Sequence, residues 1–294
     1  MMFKGLNILE FTEKFSTDDD CREYLSSIKW QNGYQCGKCG CTHHYLVKKV
    51  GTRLCGRCKY AESATSRTLF HKVKFPLRKA FYIVFMMSCG KKGISSYELS
   101  RQLSLRQKTC WAFQRKVLEA MKSDGNNPLD GTIEVDEFFV GGPEEGKTGR
   151  GNEKKQQVVM AIQTDGFGIH RCYAKVIESA DAYELGGFFS ERITSDANIK
   201  TDNWSGYKPL KKDYKNLEQK SSKKGANFPF MHRQIMMFKS WLRGIHHHCK
   251  HLQRYLDQFC YRFNRVKYPQ TLFHKLIERM VFCPPLIYQY NRSA

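Results

Sequence analysis

Hydrophobic positions along the chain change period more than once. Near the amino terminus FSTDDDCREYLSSIKW predicts a short helix capped by Ser16, Thr17 or Asp18, with Tyr24, Leu25 and Ile28 on its apolar side. HHYLVKKVGTRL then alternates as a strand does, with a turn at Gly51. A helix is expected to start near Pro76 and to stop near Gly90. Two more, about 95–103 and 107–121, meet at a turn around Leu103–Arg106, with Trp111, Val117 and Leu118 expected in the core. That is helix-turn-helix spacing, although an ordinary helical hairpin has the same pattern.

The breaker-rich stretch SDGNNPLDG at 123–131 is the best boundary in the chain. Beyond it TIEVDEFFV (132–140), QQVVMAIQ (156–163) and IHRCYAKVI (169–177) predict three successive strands, followed by a helix at about 180–191 capped by Ser179 or Asp181. IKTDNWSGY at 199–207 predicts a short strand running into a turn, and 230–265 is long and helical. Strand, strand, strand, helix, strand, helix is the order of a ribonuclease-H-like domain. The expected class is therefore α+β and multidomain: a zinc ribbon, a helical helix-turn-helix region, and a ribonuclease-H-like α/β domain with a mixed sheet. The expected divisions are a helical segment at 1–34, the ribbon at 35–64, the helix-turn-helix region at 65–123, the ribonuclease-H-like domain at 131–275 and a tail at 276–294.

Charge narrows the class of partner. Among 294 residues there are 49 Lys and Arg against 28 Asp and Glu, a formal net charge of +21 spread along the whole chain. Such an excess suits a polyanion bound through counterion release better than it suits solubility alone. A 41% apolar content allows a real core, yet the best apolar run, AFYIVFMMSCG at 80–90, is too short to span a bilayer. MMFKGLNILEFTEKF has neither a signal-peptide apolar stretch nor a small-residue cleavage site, so the expected place is the cytoplasm, in association with the nucleoid, and no membrane partner is expected.

Twelve cysteines in a reducing compartment point to metal ligation by some and free thiols for the rest. Cys36, Cys39, Cys55 and Cys58 form two C-x2-C knuckles, the spacing of a zinc ribbon holding one structural Zn2+. Cys41, His43 and His44 lie close by and are expected to be spectators. Two acidic words stand out in so basic a chain, EVDEFFVGG at 134–142 and TDNWSGY at 201–207. An aspartate in an apolar strand is costly without a cation, and two such strands bring two carboxylates to one metal, the chemistry of phosphoryl transfer. On strand alternation Glu134 shares a face with Asp136 and Glu137 points to the opposite one, so neither is taken as a ligand. Arg106, Gln107 and Lys108 open the second helix of the helix-turn-helix pair and are expected at DNA. The glycine- and lysine-rich loop after 140 offers Lys147, Arg150, Lys154 and Lys155 to phosphates, or simply to solvent.

CGKC with CGRC, TSRTLFHKVKFPLRKAF, GISSYELSRQLSLRQKTCW, EVDEFFVGG, KTGRG, TDNWSGY, KSWLRGIHHH and HLQRYLDQFCYRFNR, in this order over about 30–275, resemble bacterial insertion-sequence transposases with an amino-terminal zinc ribbon and an ISXO-like DDE domain. The resemblance implies binding of terminal inverted repeats in double-stranded DNA, strand cleavage, and transfer of 3′ hydroxyls to target DNA by a homodimer or higher oligomer. It implies Asp136 and Asp202 as catalytic carboxylates for Mg2+ or Mn2+, two ions in all. It also leaves Lys239, Arg243 and the His246–His248 run, with His247 at its centre, as DNA contacts. The third catalytic place departs from the family pattern: Met236 and Met237 stand where a Glu, Asn or His is expected, and a thioether is a poor ligand for a hard cation. His232, one turn earlier, is the nearest polar substitute, with a DNA contact or a core histidine as alternatives; Asp257 is a further candidate. A catalytically impaired, transposase-derived DNA-binding protein or repressor is accordingly the alternative function.

Overall fold

The computed structural model describes residues 2–286 except 6, 91–92, 124, 142–154, 246–248 and 250. The chain folds as two compact units, Met1–Met121 together with the segment from Tyr268, and Lys122–Lys267.

The first unit opens with α1 (Ile8–Lys14), capped by Asn7, and α2 (Asp18–Lys29), whose Thr17 and Asp20 form a reciprocal capping box. The ribbon follows as an antiparallel sheet of β1 (His44–Leu46), β2 (Thr52–Cys55) and β3 (Ala61–Ser63) in that order. Then come α3 (Leu77–Cys89), α4 (Ser96–Leu103) and α5 (Gln107–Met121), as the apolar period predicts. Ser104 ends α4 in the left-handed region and makes the sharp turn into α5. Val117 and Leu118 are buried, but Trp111 is 43% exposed, with the Arg115 guanidinium 4.6 Å from its ring centre. The expectation of a core Trp111 is corrected: Cys110, Phe113 and Val117 already fill the buried stripe of α5, and Trp111 falls outside it.

The last helix of this unit, α9 (Leu272–Phe282), also redraws the expected divisions. It starts inside the expected 131–275 domain and runs into the expected tail, yet belongs with the amino-terminal unit. The reason is aromatic packing. Phe273 lies 5.6 Å from the rings of Phe3, Phe11 and Phe15 and 5.8 Å from Phe81. The segments 1–34, 35–64 and 65–121 thus share one unit with α9.

The second unit is built on a five-stranded mixed sheet. β4 (Thr132–Val140), β5 (Gln156–Thr164) and β6 (Ile169–Ile177) form an antiparallel meander. After α6 (Ala182–Arg192), β7 (Asn198–Thr201) pairs parallel to β4, and β8 (Leu217–Gln219) pairs parallel to β7. The spatial order β6-β5-β4-β7-β8 is that of a ribonuclease-H-like sheet. One face buries Ile133, Val135 and Ile199 against Leu185, Phe188 and Phe189 of α6 and Tyr207 of a 3-10 helix (Ser205–Lys212). The other buries Phe138, Met160 and Cys172 against α7 (Pro229–Arg243) and α8 (Leu252–Phe263). Being covered on both faces, β5 reads VVMAI with no polar break, and all five residues are buried. Among the described residues no helix is long and apolar enough to cross a membrane.

Candidate active site and metal centres

In the ribbon, the two knuckles bring four sulfurs together. The Sγ atoms of Cys36, Cys39, Cys55 and Cys58 lie within 4.8 Å of one another, with Cys36–Cys58 and Cys39–Cys55 both at 3.6 Å. A tetrahedron of thiolates around Zn2+ needs sulfurs about 3.8 Å apart, so the donor set and its spacing fit that ion. Burial alone would raise the Cys36 thiol, but hydrogen bonds from the Lys38 and Cys39 N–H groups and from the Cys58 and Tyr34 side chains together bring it down to about 6. Cys41, His43 and His44 stay outside the sulfur cluster. The knuckles are tied to α2 by Glu62, a buried carboxylate that accepts from Lys29 Nζ at 2.8 Å and from the Gly37 N–H at 3.1 Å.

The acidic site sits in the second unit, where β4 and β7 run side by side. Their register pairs Val135 with Thr201, so the next residue on each strand is Asp136 or Asp202. Asp202 lies just past the end of β7, in a turn held at several points. Its Oδ1 accepts from the Trp204 N–H at 2.9 Å, Gln219 Nε2 donates to the Asp202 carbonyl at 3.2 Å, and the Trp204 indole donates to the Ala180 carbonyl at 2.6 Å. Gly206 is required there, because a Cβ would run into that same Ala180 oxygen. TDNWSGY is therefore legible residue by residue: strand end, carboxylate, anchor, close approach.

Carboxylate oxygens of Asp136, Glu137 and Asp202 lie within 4.8 Å of one another. Burial first, and the Asp202 charge second, push Asp136 up to about 6. An oxygen-only, anionic donor set of this kind fits Mg2+ or Mn2+. Glu137 was set aside on strand alternation, and the structure brings it in. Past Val135, β4 no longer has β7 beside it, and at that open end side chains from both faces reach the same place. The signal was in the sequence as the adjacent pair Asp136-Glu137. Beneath them Tyr207 is fully buried, and its hydroxyl makes no hydrogen bond of ordinary geometry among the described residues. Burial, then the neighbouring Glu137 carboxylate, hold the phenol well above its usual range.

Glu134 has a separate task. Its buried carboxylate accepts from the Met231 N–H at 3.2 Å and so caps the first turn of α7. This seats α7 against the sheet and brings His232 towards Asp136, although His232 stays outside the three-carboxylate cluster. Asp257, on α8, is bonded to Gln253 Nε2 at 3.0 Å and is also outside the cluster. Met236 and Met237, on α7, are 60% and 47% exposed and lie outside the three-carboxylate cluster.

Lys239 Nζ lies 5.3 Å from the ring of Phe138, two residues along β4 from Asp136. Burial, then the Arg243 and Lys155 charges, lower its pKa, so these three cations gather on one side of the second unit. In the first unit Arg106 and Lys108 are exposed at the start of α5, while Gln107 donates to Ser96 Oγ at 2.7 Å. Lys147, Arg150, Lys154 and His247 lie outside the described residues.

Comparison with known proteins agrees with this division. Residues 128–264 match the ISXO2-like transposase domain, and 16–61 match the transposase zinc-ribbon domain. No curated protein matches the chain. Similar solved structures include a pre-cleavage Mos1 transpososome (11% identity, 70% of this chain and 79% of that one, TM-score 0.29). The Mos1 strand transfer complex is another (12% identity, 68% and 75%, TM-score 0.32). With both domain matches in sequence order, one on each side of the helical region, the chain belongs to the insertion-sequence transposases that join an amino-terminal zinc ribbon to an ISXO2-like DDE domain.

Proposed function

We propose that the protein binds the terminal inverted repeats of its element and carries out metal-dependent cleavage and transfer of DNA strands. The observation that carries this reading is the pairing of Asp136 with Asp202 across the parallel β4 and β7, with Glu137 beside them. Divalent ions held there would activate the attacking oxygen and stabilise the leaving one. Asp136 and Asp202 would hold those ions from two different strands, and the Trp204 and Gln219 bonds keep Asp202 from swinging away. Lys239, Arg243 and Lys155 would take up backbone phosphates beside the reacting bond, and Arg106 and Lys108 would meet DNA on α5. Element ends are held in pairs during transfer, so a homodimer or higher oligomer on DNA is part of the same reading, as is one structural Zn2+ in the ribbon.

The exposed Met236 and Met237 favour a second reading, a DNA-binding protein that has lost the chemistry. One assay separates the two. Purified protein, a duplex carrying the inverted repeat, and Mg2+ or Mn2+ should give strand cleavage, and Asp136→Asn should abolish it while leaving the gel shift unchanged. A wild-type protein that shifts the duplex and never cuts it would leave only the binding reading.

A further inference from the structure

We infer that Glu137 is the third carboxylate of the metal site, in place of a residue from α7, and that the Tyr207 hydroxyl positions it. The inference rests on Asp136 and Asp202 being metal ligands.

Four observations lead here. The Glu137 carboxylate is the group whose oxygen closes a cluster within 4.8 Å with Asp136 and Asp202. Where α7 would present its own ligand it presents two thioethers, both substantially exposed, which suit a hard cation poorly. Tyr207 is fully buried, and a buried hydroxyl without a hydrogen bond is destabilising, a cost that persists only where the group is held in place. It is held: its ring packs 6.0 Å from that of Phe189, and the preceding Gly206 is pressed against the Ala180 carbonyl. Tyr207 packs in the same core as Ile133 and Val135 of β4, and the carboxylates that act on its hydroxyl are Glu137 first, then Asp136 and Asp202.

The type of support matters as well. A lysine or arginine under Glu137 would neutralise the carboxylate and compete with the cation. A phenol offers one O–H donor and no charge, so it can fix one oxygen and leave the negative charge for the metal. Asp202 and Tyr207 belong to one continuous word, TDNWSGY, so the ligand on β7 and the support for the ligand on β4 are set by the same turn.

Mn2+ binding to the full chain without DNA, followed by calorimetry and by the bound-ion paramagnetic resonance signal, tests this. Glu137→Gln should weaken Mn2+ at least about tenfold, and Tyr207→Phe, which removes only the hydroxyl, should weaken it in the same direction by about tenfold. His232→Ala should leave the affinity within twofold of wild type. Unchanged affinity in Glu137→Gln, or a loss confined to His232→Ala, overturns the inference. Unchanged affinity in Tyr207→Phe alone overturns the positioning role. If Glu137→Gln melts early without metal, Glu137→Asp keeps the charge on a shorter arm. Its partial loss of affinity would support the inference, and wild-type affinity would overturn it. Failure of the underlying reading has a different signature: Mn2+ affinity that survives Asp136→Asn.

Discussion

Glu62 is a carboxylate almost without water, and Lys29 is what makes that tolerable. The ammonium also bonds the Ser63 carbonyl at 3.0 Å and the Ser66 carbonyl at 2.7 Å, so burial of the pair is matched by hydrogen bonds on the lysine as well as by charge. Removing one partner of a buried pair leaves the other uncompensated, at about 3–5 kcal/mol. Lys29→Met is therefore expected to destabilise the first unit by that amount in denaturant unfolding, with zinc bound. Single residues were legible in the sequence where covalent spacing fixed the chemistry, as at the four ribbon cysteines, or where strand ends aligned, as at Asp136 and Asp202. The place of Glu137 beside those two carboxylates was hidden because alternation describes the faces of a sheet and β4 outruns its β7 partner at that point. Trp111 was hidden because a large aromatic in a helix reads as core until the buried stripe is counted around it.

At the scale of elements, long periodic stretches were legible and short ones were not. The strands β4, β5 and β6 match their sequence limits almost to the residue, since each carries nine residues of pattern. In contrast β8 has three residues and α1 seven, too few for a period to declare itself. The helical region expected at 230–265 is divided, with α7 ending at Arg243 and α8 starting at Leu252. Gly206 shows what a short element demands. A methyl group there meets the Ala180 carbonyl, the Trp204 indole nitrogen and a Leu185 methyl at once, and none of the three is the end of a free side chain. Gly206→Ala is expected to cost about 1–3 kcal/mol as overpacking, read as a lower melting temperature of the second unit.

For the whole molecule, the contiguous ribonuclease-H-like unit was visible and the discontinuous one was not. Nothing in the period or charge of LFHKLIERMVF says which core it joins; the ring contacts of Phe273 do, with the Tyr24–His274 bond and the Leu69 N–H donated to the Met280 carbonyl. Phe273→Ala should cost the first unit about 3–5 kcal/mol and leave unfolding of the second unit where it is, which domain-resolved hydrogen exchange can measure. The two candidate metal sites follow the same division: the four sulfurs lie in the first unit and the three carboxylates in the second.

The position of α9 bears on the order of events during synthesis. The ribbon and the α4–α5 pair leave the ribosome early, yet the core beneath them lacks Phe273 until the second unit has been translated in full. A chain stopped anywhere before Tyr268 therefore carries these elements on an open aromatic core, prone to aggregation and proteolysis. A closed first unit is in this way a sign that the segments carrying Asp136 and Asp202 have already been made.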